Sequence, residues 1–229
     1  MLQLHLMKKT VYSVLFCCLI LLQSCFEIIE QVYLKNDGSG NFQLVVNLSK
    51  SKTKLNAIIK MKTINGHEVP SKAEIKNNIA DLERTIANTA GISNVKTTVD
   101  FDNYIATLNC NFSKVTQLNS AVKNVYLSKK DNPSGRENIY AFDAAANLFT
   151  RVNKFSLKDE YKKLSNADKE IFATANYTTI FKFDSKVSTA SNKETKISPS
   201  KKAVLLKLNA LDIITDKKSI ENKITLTKL

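Results

Sequence analysis

The sequence predicts an α+β fold, in which antiparallel sheets built from hairpins carry helices packed on one face. Strand-length segments with alternating apolar residues come in pairs separated by short turns. The segments between these pairs place their apolar residues at helical spacing instead. The resulting order of hairpin, helices, hairpin and helix is typical of helices segregated to one face of an antiparallel sheet. Hydrophobic residues make up 43% of the 229 residues, which is enough for a substantial core.

The first predicted hairpin joins strands at residues 26–35 and 41–48. In its second strand apolar residues alternate with mostly polar ones from Phe42 onwards. Asp37 and Gly38 lie between the strands, and an Asp-Gly pair supplies the positive φ angles of a tight hairpin turn. A phosphate-binding loop is the alternative, but such a loop needs a lysine and a following helix that this segment lacks. We therefore predict a turn.

Two helices are predicted after this hairpin, and a third at residues 115–127. The first covers residues 49–63 and is basic and one-sided. The second begins with a capping box between Ser71 and Glu74 and ends at Gly91. Its apolar stripe consists of Ile75, Ile79, Leu82 and Ile86. Such a stripe favours packing on a sheet, with binding to a membrane surface as the alternative.

The remaining elements are shorter. We predict strand pairs at 92–101 with 104–112 and at 139–143 with 148–153, helical pieces at 157–164 and 166–174, and strands at 176–183, 203–208 and 220–226. Residues 185–202 are rich in Ser, Thr, Asn and Lys and predict an extended, solvent-facing excursion. The charged loop 129–138 is a candidate sub-boundary. The final strands are too short for a core of their own, so we predict one α+β domain over residues 25–229 whose late strands join the earlier sheet.

The amino-terminal segment has the layout of a secretory signal. Lys8 and Lys9 precede an apolar run at residues 11–22, and the small residue Ser24 follows. The run is short for a helix that spans a bilayer, and no charged stop-transfer cluster comes after it. These features favour a cleaved signal over a transmembrane helix.

The end of this segment resembles the lipobox of bacterial lipoproteins, in which the cysteine is lipidated and becomes the mature amino terminus. The resemblance is carried by the last four residues, which read Leu-Gln-Ser-Cys and end at Cys25. We therefore predict a lipoprotein signal peptide over residues 1–24 and attachment of palmitate-type chains at Cys25. Translation is predicted to start at Met7 rather than Met1. An ordinary cleaved signal or an uncleaved anchor is the alternative.

The chain is strongly basic, with 34 Lys and Arg against 21 Asp and Glu and a net charge of +13. In a cytosolic protein this balance would suggest nucleic acid. An exported domain rarely meets nucleic acid, so we predict no such partner. Phospholipid head groups and lipopolysaccharide are the anionic partners expected outside the cytoplasm, and a clustered basic face would orient the domain on them. Simple colloidal solubility is the alternative.

Few residues have the chemistry of a metal ligand or nucleophile. Cys17 and Cys18 leave with the signal and Cys25 carries lipid, so only Cys110 remains and no intramolecular disulfide is predicted. Cys110 lies in an alternating apolar segment, which favours a buried inert thiol over a nucleophile. His67 is predicted at the surface. These residues are too few for a zinc site, and the sequence predicts no metal, cofactor or catalytic residue.

Two close carboxylate pairs are the remaining candidates for acid–base chemistry. Asp100 and Asp102 flank a predicted turn, and Asp159 and Glu160 lie at a predicted helix start, where acids have ordinary structural roles. Two hypotheses follow. The first is a non-catalytic binding or structural module of the envelope, and the second is a carboxylate-dependent hydrolase that acts on an envelope substrate. Two buried acids facing each other across a cleft would favour the hydrolase.

The chain also resembles uncharacterised envelope lipoproteins of the LppM-like type. The resemblance is carried by the lipobox, the early Asp-Gly-Ser-Gly hairpin, and a carboxy-terminal outline of Phe181, Phe183, Val187, Ser188, Asn192, Asp212, Ile213 and Ile214. It implies an α+β envelope domain that handles lipid or another hydrophobic ligand. The family supplies no catalytic residue to transfer.

Lipoprotein sorting gives an expected location. Phe26 follows the lipidated cysteine where an Asp would signal retention in the inner membrane. Glu27 and Glu30 are too sparse for a signal of surface exposure. We therefore expect a protein that is lipid-anchored to the outer membrane and faces the periplasm.

Overall fold

A computed structural model describes residues 26–132 and 138–228, which form sheets and helices of an α+β fold, as predicted. The strands are β1 (Glu27–Leu34), β2 (Gly40–Asn47), β3 (Thr63–Ile64), β4 (His67–Glu68), β5 (Ile92–Asp100), β6 (Ile105–Phe112), β7 (Tyr140–Asp143), β8 (Leu148–Arg151), β9 (Asn176–Phe183), β10 (Val187–Ala190), β11 (Lys196–Ile197), β12 (Ala203–Asn209) and β13 (Asn222–Leu226). The helices are α1 (Lys52–Ile58), α2 (Lys72–Ala87), α3 (Val115–Ser128), α4 (Lys158–Lys163), α5 (Asn166–Ala173) and α6 (Ala210–Ile214), and a 3-10 turn (Ser49–Ser51) precedes α1.

The larger sheet has seven strands in the order β11-β12-β9-β1-β2-β6-β5. Its neighbours pair antiparallel, except that β1 and β9 pair parallel from Glu27 opposite Asn176 to Leu34 opposite Phe183. The hairpin pattern of the sequence predicts pairs of consecutive strands only. It therefore missed this parallel contact between the two halves of the chain.

The inner face of the larger sheet is covered by two different layers. A four-stranded sheet, β10-β13-β8-β7, packs on one part of it, where the ring of Phe149 lies 5.1 Å from Phe181 and 5.6 Å from Phe183. Helix α2 packs on β5 and on α3, and α3 packs on β5 and β6 and also contacts β7. The buried core therefore joins residues of both sheets and both helices.

The predicted capping box of α2 is present. The Ser71 hydroxyl accepts a bond from the Glu74 amide at 3.2 Å, and the Glu74 carboxylate accepts one from the Ser71 amide at 2.8 Å. The apolar side of the helix faces the core, where Ile86 is buried. From the same helix, the Glu83 carboxylate accepts a 2.9 Å bond from the amide of Thr97 and so ties α2 to β5. Packing on the sheet, rather than on a membrane, is the role that these contacts show.

The prediction of one helix over residues 49–63 is wrong at its end. Helix α1 stops at Ile58, and β3 and β4 then form a small separate hairpin. The turn between them contains Asn65 and Gly66, with φ angles of 50° and 80°. An Asn-Gly pair favours a tight hairpin turn, and this local preference outweighs the helical spacing of the residues before it.

The prediction of a solvent-facing excursion over residues 185–202 is wrong in part: most of these residues are exposed, but the segment contributes strands to both sheets. Strand β10 pairs with β13 in the four-stranded sheet and buries Val187, and β11 pairs with β12 at the edge of the larger sheet. The late strands divide accordingly: β9 and β12 join the earlier sheet as predicted, whereas β13 belongs to the other one. One buried side chain in a short polar strand leaves no periodic pattern that a sequence could reveal. The predicted loop at 129–138 lies partly outside the described residues.

Replacing Gly40 by alanine should destabilise the fold by about 3 kcal/mol through overpacking. A Cβ at this position would lie 1.9 Å from the carbonyl oxygen of Tyr33 and 2.7 Å from the ring of Phe112. The first of these atoms belongs to the backbone of a paired strand and cannot move without breaking the pairing. Unfolding in urea measures the loss.

Gly66→Ala is the matched control, because no atom lies within 4 Å of the added Cβ and only the positive φ of 80° opposes it. That strain is worth about 1 kcal/mol. Equal losses in the two variants would contradict the close approach at Gly40.

Candidate functional site

A cavity of about 320 Å³ lies between the larger sheet and helices α2 and α3. We call it the helix cavity. Its lining residues are Phe42, Leu44, Leu82, Ile86, Leu108, Cys110, Leu118, Ala121, Val122, Val125, Tyr126, Ile139 and Tyr140. The alternation of β2 and β6 places their apolar side chains on the inner face, where Phe42 is paired with Cys110 and Leu44 with Leu108. The helices supply the opposite wall. The cavity is therefore lined almost entirely by carbon.

A second cavity of about 420 Å³ lies beside the first, and we call it the terminal cavity. The two share Val122, Tyr126 and Ile139 as lining residues, so they follow one another along α3. The terminal cavity reaches Phe26, the first described residue, and its wall includes Phe172 of α5. The ring of Phe172 lies 6.1 Å from that of Phe26, edge to face. The two neighbouring cavities therefore extend from the core to the amino-terminal end of the described chain.

A buried ion pair forms part of the wall of the terminal cavity. Arg151 donates from Nε to Glu30 Oε1 at 2.8 Å and from Nη2 to Glu30 Oε2 at 2.9 Å, and both side chains are at most 6% exposed. The Tyr177 hydroxyl donates a short bond to the same carboxylate, and the Tyr140 ring lies 5.2 Å from the guanidinium. A third donor, Arg151 Nη1, binds the carbonyl oxygen of Val152 at 2.6 Å.

Burial and the ion pair act in opposite directions on these groups. Burial alone would raise the pKa of Glu30, but the charge and hydrogen bonds of Arg151 outweigh it and hold that pKa below the ordinary value. Burial and the Glu30 charge raise the pKa of Tyr140 and Tyr177. The carboxylate is therefore charged and the two phenols are neutral near pH 7. Because the charges are matched and hydrogen-bonded, the ion pair links β1 of the larger sheet to β8 of the four-stranded sheet.

The predicted site residues fall in separate places. Cys25, the predicted lipidation site, lies outside the described residues. Cys110 is 3% exposed, as predicted, and burial raises the pKa of its thiol to about 11, but it also lines the helix cavity. His67 is at the surface, as predicted, with its Nε2 3.5 Å from a carboxylate oxygen of Asp168.

The two carboxylate pairs lie where the sequence predicts them, one at a turn and one at a helix start. Asp100 accepts bonds from the amides of Asp102 and Asn103 at 2.8 and 2.9 Å and so holds the turn between β5 and β6. Asp159 and Glu160 lie in the first turn of α4. Within residues 26–132 and 138–228 there is no group of three or more side chains that would ligate a metal ion. In the same ranges, no helix has both the length and the apolar character needed to cross a bilayer.

Sequence reasoning missed the cavities and the buried ion pair. Glu30 gave the one available signal, because it occupies the same face of β1 as the buried residues Val32 and Leu34. A carboxylate in an apolar alternation predicts a buried partner. The identity of that partner, Arg151, depends on the packing of the two sheets and leaves no trace in spacing.

No protein-family model matches the sequence, and no curated protein matches it. The fold is similar to the folded domain of the Mycobacterium tuberculosis LppM protein, whose structure was determined by NMR. That likeness has a TM-score of 0.45 at 11% sequence identity and covers 90% of this chain and 92% of that one.

Proposed function

We propose that the protein is an envelope lipoprotein whose folded body is a non-catalytic module that binds the acyl chain of a lipid or a similar hydrophobic ligand. The observation that carries this proposal is the pair of apolar cavities along α3, the second of which reaches Phe26. Phe26 directly follows Cys25, the cysteine of the lipobox-like segment. One end of the proposed binding site therefore lies beside the point at which the chain would be held to the membrane.

The size of the helix cavity suits an acyl chain. A methylene group fills about as much space as a water molecule in the liquid, ~30 Å³, so a volume of about 320 Å³ holds roughly ten of them. Each buried methylene contributes about 0.8 kcal/mol. Ten of them would contribute about 8 kcal/mol, so the micromolar range is the upper limit of the affinity, before the losses of freedom on association are subtracted.

The signal segment supports the proposed location. A short apolar run ending in the Leu-Gln-Ser-Cys sequence is typical of a lipidated precursor, and Phe26 after the cysteine favours sorting to the outer membrane. We therefore place the body in the periplasm, tethered to the outer membrane through acyl chains on Cys25. The body keeps a net charge of +11 after Lys8 and Lys9 leave with the signal, and this charge together with the export signal favours anionic envelope components over nucleic acid as partners.

The hydrolase hypothesis lacks an observation in its favour. Hydrolysis by paired carboxylates needs two acids that face one reacting bond. Among the described residues Glu30 is the only buried carboxylate, and Arg151 holds it as an ion pair. The exposed pairs at Asp100 and Asp159 lie on turns and helix starts instead of in a cleft. We accordingly propose binding rather than catalysis.

Filling the helix cavity should weaken ligand binding. Ala121 is 5% exposed and lines the cavity, so Ala121→Leu adds three carbon atoms to the space for the ligand. Displacing about three methylene groups should weaken binding of the fluorescent fatty acid cis-parinaric acid about 50-fold. The measurement is a fluorescence titration of the full chain.

Ser120→Leu is the matched control, because Ser120 is the neighbouring residue of α3 but is exposed. Its affinity for cis-parinaric acid should stay unchanged. Native mass spectrometry of the protein taken from its own envelope then identifies the co-purifying lipid. Saturable binding that Ala121→Leu and Ser120→Leu leave equally strong would refute the assignment of the cavity, as would no binding by the unmodified chain.

A further inference from the structure

We propose that the end of the body around Phe26 docks on an anionic lipid bilayer through residues 49–62, which we call the basic arm. This inference rests on the proposed anchor at Cys25 for the position of the membrane. It goes beyond the anchor because it assigns an orientation to the body and a lipid-binding role to a segment outside the cavities.

Strand register places the basic arm at the anchored end. Glu27, next to Phe26, is paired with Asn47, the last residue of β2, and the arm begins two residues later. The Tyr104 hydroxyl donates to the side-chain oxygen of Asn56 at 2.6 Å and so holds α1 against the turn between β5 and β6. Because Cys25 is one residue from Phe26, a membrane that holds Cys25 lies against this end of the sheet.

The composition of the basic arm suits an anionic surface. It contains five lysines, at positions 50, 52, 54, 60 and 62, and no Asp or Glu. All five are exposed, and none of the ion pairs formed among the described residues involves them. Two acids of the sheet lie near these lysines and have other partners: Lys207 binds Glu27 at 2.8 Å, and Asp100 accepts bonds from the turn between β5 and β6. Lysines in such a cluster bind anionic headgroups by charge attraction.

Exposed apolar side chains lie beside these charges. Helix α1 has no buried residue, and Met61, between two of the lysines, is 49% exposed. Leu157 and Ile171, at 41% and 38%, lie close to Phe26: the first lines the terminal cavity with it, and the second precedes Phe172. The hairpin that follows the arm is tied to α5 by a 3.2 Å bond from Asn65 to Asp168. Apolar side chains among lysines are typical of segments that lie in the headgroup region.

A bilayer is the occupant that these observations favour over a protein partner. A protein would need a complementary surface of its own, whereas the tether already holds this end within one residue of the lipid. Docking of this end would also bring the terminal cavity close to the bilayer, since Phe26 lines that cavity. A lipid could then pass between membrane and cavity without crossing water.

The chain contains no tryptophan, so a single introduced one reports on its own surroundings. We would reconstitute the full-length lipidated protein in vesicles of phosphatidylcholine with and without phosphatidylglycerol and measure quenching by brominated lipid. Met61→Trp should be quenched and shifted to shorter wavelength on the vesicles with phosphatidylglycerol. Ile197→Trp is the matched reporter, because Ile197 is 41% exposed but lies far from the anchored end. Strand pairing places Ile197 level with Val32, which is five residues from Glu27, or roughly 17 Å along the strands. It should show no quenching.

The lysines are tested in the Met61→Trp background. Replacing Lys52, Lys54 and Lys60 by glutamine should remove the quenching, whereas the same change at Lys35, Lys186 and Lys202, three exposed lysines outside the arm, should leave it intact. Equal quenching of both reporters, or an unquenched Met61→Trp on anionic vesicles, would overturn the proposal. So would a spectral shift that depends on protein concentration without lipid, because it would show a second copy on the arm. Failure of the proposed anchor gives a different result, because the protein would then not float with neutral vesicles. Quenching of Met61→Trp on anionic vesicles would still decide whether the basic arm docks.

Discussion

Arg151→Met should lower the free energy of unfolding by about 3–5 kcal/mol, the loss expected when one partner of a buried ion pair is removed. The side chain of Glu30 is 4% exposed, and its carboxylate would keep only the bonds from the phenols of Tyr177 and Tyr140. A charged group in that position has no water to replace the guanidinium. Unfolding in urea at pH 7 gives the loss directly.

A paired substitution separates the ion pair from the volume of the side chains. Glu30→Gln with Arg151→Met removes both charges, so the double variant should recover most of the stability that the single one loses. If the double variant is as unstable as Arg151→Met alone, packing of the arginine stem and not its charge holds the two sheets together. The coupling free energy of the complete mutant cycle distinguishes these cases.

The pH dependence of the stability of Arg151→Met provides a second, independent test of the ion pair. In the unmodified protein the pKa of Glu30 is below its ordinary value, so its contribution to stability is present above the ordinary pKa and is lost as the pH falls through the folded-state pKa. Without Arg151, we expect burial to outweigh the remaining hydrogen bonds from the phenols and to raise the pKa of Glu30 above its ordinary value. The variant should then be more stable at pH 5 than at pH 7, and the unmodified protein should show no such gain. A variant with the same pH profile as its parent would contradict the account.

Local signals explain how much of the fold could be predicted. The first hairpin follows from Asp37 and Gly38, and the structure shows the φ of 82° at Gly38 that such a turn demands. The start of α2 follows from its capping box in the same way. In each case the residues that decide the conformation are within four positions of one another. The parallel pairing of β1 with β9 joins residues about 150 positions apart, so no local pattern could reveal it.

The candidate site was less predictable than the hairpins, because its cavities form between the packed sheet and helices. The apolar side chains that line the helix cavity are those of any amphipathic strand or helix, and the sequence predicts them as core. Whether Ala121 meets a neighbour or an open space depends on how far α3 stands from the sheet, which the distances of the assembled fold decide. Cys110 illustrates the point: its burial was predicted, and its place in a cavity wall was not.

Cys25→Ala should abolish incorporation of a clickable palmitate and release the protein from the outer-membrane fraction. Each methylene of an acyl chain contributes about 0.8 kcal/mol to membrane binding, so removal of the chains takes away a lasting anchor. Cys18→Ala is the matched control, because it changes a neighbouring cysteine of the same signal segment and should leave both labelling and location unchanged. Equal labelling of the two variants would refute lipidation at Cys25.

The Cys25→Ala protein also separates the tether from the basic arm. If the anchor and the arm act together, the variant should keep a weak association with anionic membranes that added salt removes, because screened lysines no longer hold the surface. The five lysines of residues 49–62 would then position a body that the acyl chains retain. Complete and salt-independent release would assign all membrane contact to Cys25. The body would then be free to rotate about its tether, and the terminal cavity would have no fixed orientation relative to the bilayer.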